Sequence, residues 1–380
     1  MREISPSTTL KVLENAFKKR AEGKDISILA AGEPDFDTPD YIKEAAIRAI
    51  KEGKTKYTPV SGIPELRRAI VGWTEQRIGI KYSPDAVLVS SGAKQSIFNV
   101  LFTLIEKGDE VIIITPYWVS YPEMVRLAGG NPVFVDSAED FHLDIDAIGR
   151  SITDRTRAII LNSPNNPTGV VYTREEIEEL AVLLRNKEIY VISDEIYDCL
   201  VYGGVKNYSI AKVKGMRDKT FVVNGVSKSF AMTGWRIGWV LGPERIIKLA
   251  KSIQSHTTSC PSSISQYATL AALTKDDGSV ERMRATFEKR RNRCIELIGE
   301  IPGISFPRPD GAFYLFLDVS RYTHCSFDFA TELVDHDLAI IPGIAFGKEG
   351  YLRLSYASSL EEIEKGIRHL KEFIEELREK

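Results

Sequence analysis

Residues 86–118 read AVLVSSGAKQSIFNVLFTLIEKGDEVIIITPYW. A short Val-rich run breaks at Ser-Ser-Gly, an apolar helical stretch comes next, and an Ile-rich run then breaks at Pro-Tyr-Trp. Runs of the same kind recur at PVFVDS (132–137), AIILNSP (158–164), YVISDEIY (190–197), TFVVNG (220–225) and IGWVLGP (237–243). Helical stretches such as TREEIEELAVLLRNK (173–187) lie between several of them, this one opened by Thr173 and Glu176 at capping-box spacing. Unbroken apolar strands alternating with helices predict an α/β fold, a mostly parallel seven-stranded sheet covered by helices on both faces. Ligands in such sheets sit at the carboxyl ends of the strands, which is where every polar motif of this chain falls.

On the amino-terminal side, LKVLENAFKKRAEG reads as an amphipathic helix and DISILAAG (25–32) as a strand that breaks at GEPDFDTP (32–39). The helix YIKEAAIRAIKEG comes next, then a polar loop containing Tyr57 and a further helix. On the carboxyl-terminal side, ERIIKLAKSIQS and SISQYATLAAL through ERMRATFEKRRNRCIELIGEI read as long helices leaving the domain of the large sheet. GAFYLFLDVS, LAIIPG and YLRLSYA read as strands of a smaller α+β unit, closed by a helix whose Ser359 and Glu362 repeat the capping-box spacing. The expected division is a large domain over 45–285 and a small domain built from 1–44 and 286–380.

With 380 residues, 43% hydrophobic, and a net charge of −3, the chain has the composition of a globular protein with a sizeable core. No basic excess points to nucleic acid, and no run of about 18 apolar residues is present to span a membrane. The amino-terminal residues lack a signal-peptide pattern, and Cys199, Cys260, Cys294 and Cys325 show neither CxxC nor metal spacing. A cytoplasmic protein with free thiols and no metal is expected.

Residues 220–243, TFVVNGVSKSFAMTGWRIGWVLGP, place Ser227, Lys228, Ser229 and Arg236 in a small-residue turn between two strands. Lys228 is the only lysine between Lys219 and Lys248, and its neighbours are hydroxyls, glycine and aromatics. Lysines are usually solvated, but one held on an apolar wall has the lowered amine pKa that a Schiff-base nucleophile needs. Arg236 offers a planar clamp for a phosphate. Gly92 opens a helix whose free N–H groups make an anion site, although many such turns bind nothing, and no GxGxxG supports a dinucleotide. Asp194 ends an apolar strand, where it either caps the next helix or, if buried, faces a cation such as a protonated pyridine nitrogen. Tyr197 lies one turn on. Asn166, in SPNNPTG, belongs to a turn found in any protein. Trp118 is either core or a face for a planar ring. Arg353, among Leu and Tyr, is either a structural ion pair or a bidentate clamp for a carboxylate.

The motifs AAGEPDFDTP, KYTPVSGIPELR, SSGAKQ, PYWVSYP, NSPNNPTG, SDEIYD, SKSFAMTGWRIG, GAFYLF and LRLSYA run in this order almost end to end. Together they resemble the class I pyridoxal-phosphate-dependent aminotransferases of fold type I. The resemblance implies that Lys228 is the lysine bonded to pyridoxal 5'-phosphate and the shuttle of the substrate α-proton. It matches Ser227, Arg236 and the backbone at Ala93 and Lys94 to the phosphate cradle. It makes Tyr57 the tyrosine reaching the phosphate in a neighbouring subunit, hence a homodimer with shared sites. Asp194 matches the partner of the pyridine nitrogen, Asn166 and Tyr197 the partners of the ring's phenolic oxygen, and Trp118 the stacked aromatic. Arg353 matches the binder of the substrate α-carboxylate, with Gly32 at the same end.

The resemblance extends to substrate. One branch of aspartate transaminases clamps the side-chain carboxylate with an arginine from the neighbouring subunit, and the matching position here is Ser255. A bacterial and archaeal branch is more similar, with a lysine in a GxKQ loop and hydroxyls in a PSxT lead-in. Lys94 stands in GAKQ, and Ser7 and Thr9 stand in PSTT. The implied reaction passes the amino group of aspartate to 2-oxoglutarate, with aromatic amino acids or prephenate as the alternative. A lysine draws a carboxylate by charge without the fork geometry of arginine. A pyridoxal-phosphate lyase and a cofactor-sensing regulator are rival readings. The regulator needs a DNA-binding fusion, for which this chain has no residues to spare.

Overall fold

The computed structural model describes residues 8–379, with side chains from Leu13 onward. Helix α1 (Thr8–Ala21) and strand β1 (Ser27–Ile28) lead into α2 (Asp40–Lys51) and α3 (Pro64–Ile78). The alternation then begins with β2 (Val87–Ser90), α4 (Ala93–Leu104), β3 (Glu110–Thr115), α5 (Ser120–Ala128) and β4 (Asn131–Asp136). It continues through α6 (Ile145–Ser151), β5 (Thr156–Asn162), α7 (Arg174–Leu184), β6 (Tyr190–Asp194), β7 (Thr220–Gly225) and β8 (Gly238–Leu241). Three helices come next, α8 (Glu244–Ser255), α9 (Ser263–Thr274) and α10 (Ser279–Gly299). The chain ends with β9 (Tyr314–Asp318), α11 (Ser326–Asp335), β10 (Leu338–Ala339), β11 (Ile341–Pro342), β12 (Tyr351–Ser355) and α12 (Leu360–Glu379).

The seven apolar runs form one sheet, ordered β2–β8–β7–β6–β5–β3–β4. All its strands are parallel except β8, which runs antiparallel to β2 and β7. Every residue of β2, β3, β7 and β8 is buried, as continuous Val/Ile runs require when helices cover both faces. Each such side chain contributes about 1.5–3 kcal/mol relative to exposure. The edge strand β4 is the exception, with most of its residues partly or fully exposed. Thr173 and Glu176 cap α7 reciprocally, as their spacing predicts. Glu176 also accepts from Leu143 N at 2.7 Å and meets His142 Nδ1 at 2.8 Å.

The later strands make a three-stranded antiparallel sheet, β11–β12–β9, and β1 pairs in parallel with β10. Helix α1 packs on α11 and β10, and α12 packs on α10 and β1.

Four local expectations are corrected. The expected strand 25–32 is regular only at Ser27–Ile28, because beyond Leu29 its carbonyls are taken by side chains of Arg353 and Lys228. LAIIPG splits into β10 and β11, which belong to different sheets. Helices α8 and α9 do not leave the large sheet. α8 lies on α4 and β2, burying Ile246, Ile247 and Ala250, while α9 lies against α2 and α3. Ser359 accepts from Glu362 N at 3.2 Å, but the Glu362 carboxylate turns to Ile28 N and Arg20 instead of closing a box.

Candidate active site

A cavity of about 350 Å³ opens at the carboxyl edge of the parallel strands. Gly32, Ala93, Lys94, Trp118, Asn166, Asp194, Tyr197, Ser227, Lys228, Arg236 and Arg353 all line it. Residues separated by more than 300 positions are thus gathered because each lies just beyond a strand end or, for Arg353, inside β12. Three candidates are not among them. Tyr57 is 93% exposed on the surface of the chain, Ser7 lies outside the described residues, and so does the side chain of Thr9.

Lys228 lies just after β7, and its Nζ donates to the carbonyl of Gly32 at 2.6 Å. The ammonium lies 5.9 Å from the centre of the Phe313 ring. Burial pushes its amine down to about 8, helped by Arg353 and Arg236 and opposed by Glu33 and Asp194. The solvated-lysine reading therefore fails here, and the amine gives up its proton more readily than an exposed lysine does.

Asp194 ends β6 and is 4% exposed. Its Oδ2 accepts from the Tyr121 hydroxyl at 2.7 Å and its Oδ1 from Ile196 N at 3.3 Å. Burial raises its carboxyl to about 6, which those two hydrogen bonds and Lys228 only partly oppose. No salt bridge involves it among the described residues. A buried carboxylate with neutral donors and no paired cation is suited to accept one from a ligand.

Arg353 is 6% exposed, and its Nη1 donates to Asn166 Oδ1 at 3.0 Å and its Nη2 to Ala30 O at 2.9 Å. Its Nε is buried and has no hydrogen-bond partner among the described residues. The guanidinium lies 4.4 Å from the Tyr314 ring centre and 4.9 Å from that of Phe346. Burial lowers its pKa, but a guanidinium remains charged in proteins. It makes no ion pair among the described residues, so a carboxylate ligand would find the fork desolvated and already oriented.

Helix α4 begins at Ala93, and the residue before it, Gly92 at φ 92°, offers no side chain to cap it. Arg236, itself at φ 56°, lies so close that a Cβ on Gly92 would overlap its guanidinium. A Cβ on Gly238 would collide with the backbone of Ala93. Two glycines thus let an uncapped helix end and a guanidinium converge, which suits a phosphate. Lys94, in the first turn of α4, holds its ammonium 4.8 Å from the Trp118 ring centre. Burial and then Arg236 lower its amine, so it is no freely solvated residue.

Two further residues shape the site, and the sequence motifs do not single them out. Tyr121 holds Asp194, and the Tyr314 hydroxyl lies 2.9 Å from that of Tyr197. Tyr121 stands three residues after Trp118 in PYWVSYP, in the first turn of α5, and that spacing is the available signal. Tyr314 sits in an apolar strand motif with no such signal.

Comparison with known proteins agrees with this geometry. The family described as aminotransferase class I and II matches residues 24–370. The aspartate aminotransferase of Bacillus subtilis is 44% identical over 98% of this chain and 97% of its own. The aspartate/prephenate aminotransferase of Thermus thermophilus is also 44% identical, over 96% of this chain and 95% of its own. Among solved structures, the Thermus thermophilus aspartate aminotransferase with maleate superposes with a TM-score of 0.93 at 43% identity, covering 98% of this chain and all of that one. The enzyme from Rhizobium meliloti gives 0.95 at 38% identity, covering 98% and 97%. Likeness of this extent, in sequence and fold together, means that the chain belongs to the class I and II aminotransferases, which depend on pyridoxal phosphate.

Proposed function

We propose that the chain transfers the amino group of aspartate to 2-oxoglutarate, giving oxaloacetate and glutamate. The observation that carries aspartate is a cation in the cavity beyond Lys228, Arg236 and Arg353. Arg353 is available for the α-carboxylate, and Lys94, beside Trp118, offers a charge partner to the distal one. The names of the relatives point the same way.

The residues present fit pyridoxal 5'-phosphate on the chain's own features. The uncapped start of α4, Ser227 and Arg236 suit the phosphate, with the two glycines leaving room. Asp194, buried and in no salt bridge among the described residues, suits a protonated ring nitrogen, and Asn166 and Tyr197 suit the phenolic oxygen. Trp118 offers an aromatic face. When bound, the cofactor supplies an electron sink for the charge released at the substrate α-carbon.

The chain's part is binding, orientation and proton movement. Arg353 fixes the α-carboxylate and so aims the α-hydrogen. Lys228 Nζ, neutral in useful fraction because of burial, takes that proton as general base and returns it as general acid. Asp194 stays ionised once a cation faces it, since an opposite charge in a buried site restores the charged form.

The same reading extends to a large domain over 45–285 and a small one over 1–44 and 286–380. It also extends to a cytoplasmic homodimer in which Tyr57 reaches the neighbour's site. Support comes from the separate three-stranded sheet, from four free cysteines and from the exposure of Tyr57. Among the described residues no helix is long and apolar enough to cross a membrane. A second reading, an aromatic or prephenate-type substrate, draws on the apolar part of the cavity at Leu13, Val119 and Phe346.

Aspartate, phenylalanine, alanine and the amino product of prephenate, added separately to the loaded protein, test the proposal through the visible spectrum of the bound cofactor. Conversion is expected fastest with aspartate, and no change with aspartate overturns it. Lys94→Ala separates charge recognition from architecture. Loss of a charged partner costs about 1.5–3 kcal/mol, or roughly 10- to 100-fold. A fall of that size in kcat/KM is expected for aspartate and little change for alanine; equal losses would make Lys94 structural.

A further inference from the structure

The segment between β1 and α2 runs along the cavity without regular structure, yet its backbone holds both reactive side chains. Ala30 O accepts from Arg353 Nη2, and Gly32 O accepts from Lys228 Nζ. The carboxylate-binding arginine of β12 and the lysine after β7 thus rest on carbonyls two residues apart. Irregular backbone keeps such acceptors in register only where something outside fixes it, and a site is as well positioned as its supporting shell.

Part of that support comes from the lysine turn itself. Thr233 Oγ1 donates to Glu33 Oε2 at 2.8 Å, and Thr38 Oγ1 donates to Ala231 O at 2.8 Å while accepting from Trp235 Nε1 at 3.0 Å. A further anchor lies away from the cavity. Arg290, on α10 and 8% exposed, grips Asp35 with both prongs, Nη1 to Oδ1 at 2.6 Å and Nη2 to Oδ2 at 2.8 Å. Its guanidinium also lies 5.0 Å from the Phe36 ring centre and 5.6 Å from that of Phe287, and the two rings meet edge-on at 5.2 Å. Neither Asp35 nor Arg290 lines the cavity. Binding and proton transfer leave this forked pair, a buried arginine on an exposed aspartate, without a use.

We propose that Asp35 and Arg290 are positioning residues for transamination, clamping segment 30–38 to α10 so that Gly32 O stays on Lys228 and Ala30 O on Arg353. The inference rests on Lys228 as the reactive amine. That amine is faced by the carboxylates of Glu33 and Asp194, the guanidiniums of Arg236 and Arg353, and the Phe313 ring. Burial is the largest influence on it, ahead of any of these charges. A loosened segment admits water to Nζ, and relief of burial moves a lysine back up towards its ordinary value. Loss of the Gly32 acceptor acts the other way but is the smaller effect.

Competitive acetylation of the full-length chain freed of cofactor, read by mass spectrometry at Lys228 across pH, tests this without reference to turnover. The unsubstituted chain should give a midpoint near 8. Asp35→Asn and Arg290→Lys should each raise it by about one pH unit, with Arg290→Met raising it further. Exposed Lys248 should not move. Unchanged midpoints in variants that still unfold in one cooperative transition overturn the proposal. An unsubstituted midpoint near 10.5 would instead sink the reading of Lys228 itself. Should a variant fail to fold, Phe36→Leu, which removes the ring under Arg290, carries the same expectation.

Discussion

Lys228→Ala is expected to lower kcat by at least about 10³-fold while leaving the fold and the cofactor's phosphate contacts intact. General acid–base transfer by a positioned side chain is worth about 10²–10⁴-fold, and this lysine is also the proposed covalent anchor. No other side chain described in the cavity replaces it. Lys94 holds its ammonium over Trp118, and Arg353 cannot give up its proton. Single-turnover loss of the substrate α-hydrogen, tracked by deuterium exchange, reads the chemical step directly. Borohydride reduction and then mass spectrometry should find cofactor on residue 228 of the unsubstituted chain and on no residue of the variant. Multiple turnovers by Lys228→Ala would mean that the mechanism is wrong.

Asp194→Asn should separate stability from function. Activity should fall by on the order of 10²–10³-fold, the range seen when one preorganised electrostatic partner is removed. The cofactor-free chain should become more stable, because a buried carboxylate is gone while Asn can still accept from Tyr121. The raise from 3.8 to about 6 corresponds to on the order of 3 kcal/mol at neutral pH. Its sign is set by proton binding. Between these two values the folded chain holds the proton more tightly than the unfolded one, so the cost grows as pH rises and is complete above about 6. The gain from Asn should therefore be largest at pH 7 and above and vanish as pH falls towards about 4. Denaturant titrations of both cofactor-free proteins at several pH values check this. Equal stability at pH 7 would mean that Asp194 is not held as a buried charge.

The large sheet is legible in sequence because its strands are short Val/Ile-rich runs, several of which end at or just before residues that line the cavity, as β6 does at Asp194. The lysine turn is legible for the same reason, with Lys228 isolated among small residues. Pairing at a distance is not legible. Tyr121 and Asp194 are 73 positions apart and Tyr197 and Tyr314 are 117 apart, and no local period links either pair. Irregular backbone is equally hidden. The apolar letters of 25–32 suit a strand, yet the segment ends as one after two residues because side chains from elsewhere claim its carbonyls. The carboxylate of Glu362 likewise finds Arg20 and Ile28 in preference to its own helix start, a choice only the packing of α12 on β1 decides.

The cavity draws its walls from two sheets, with Asp194 and the lysine turn on the seven-stranded one and Tyr314 and Arg353 on the three-stranded one. Its persistence therefore equals that of whichever sheet opens more easily. Sub-global opening events occur at free energies below that of complete unfolding. A transient excursion of the smaller sheet would erase the carboxylate site while the large core stayed protected from exchange. The site of this enzyme can therefore last no longer than the less stable of the two sheets that form it.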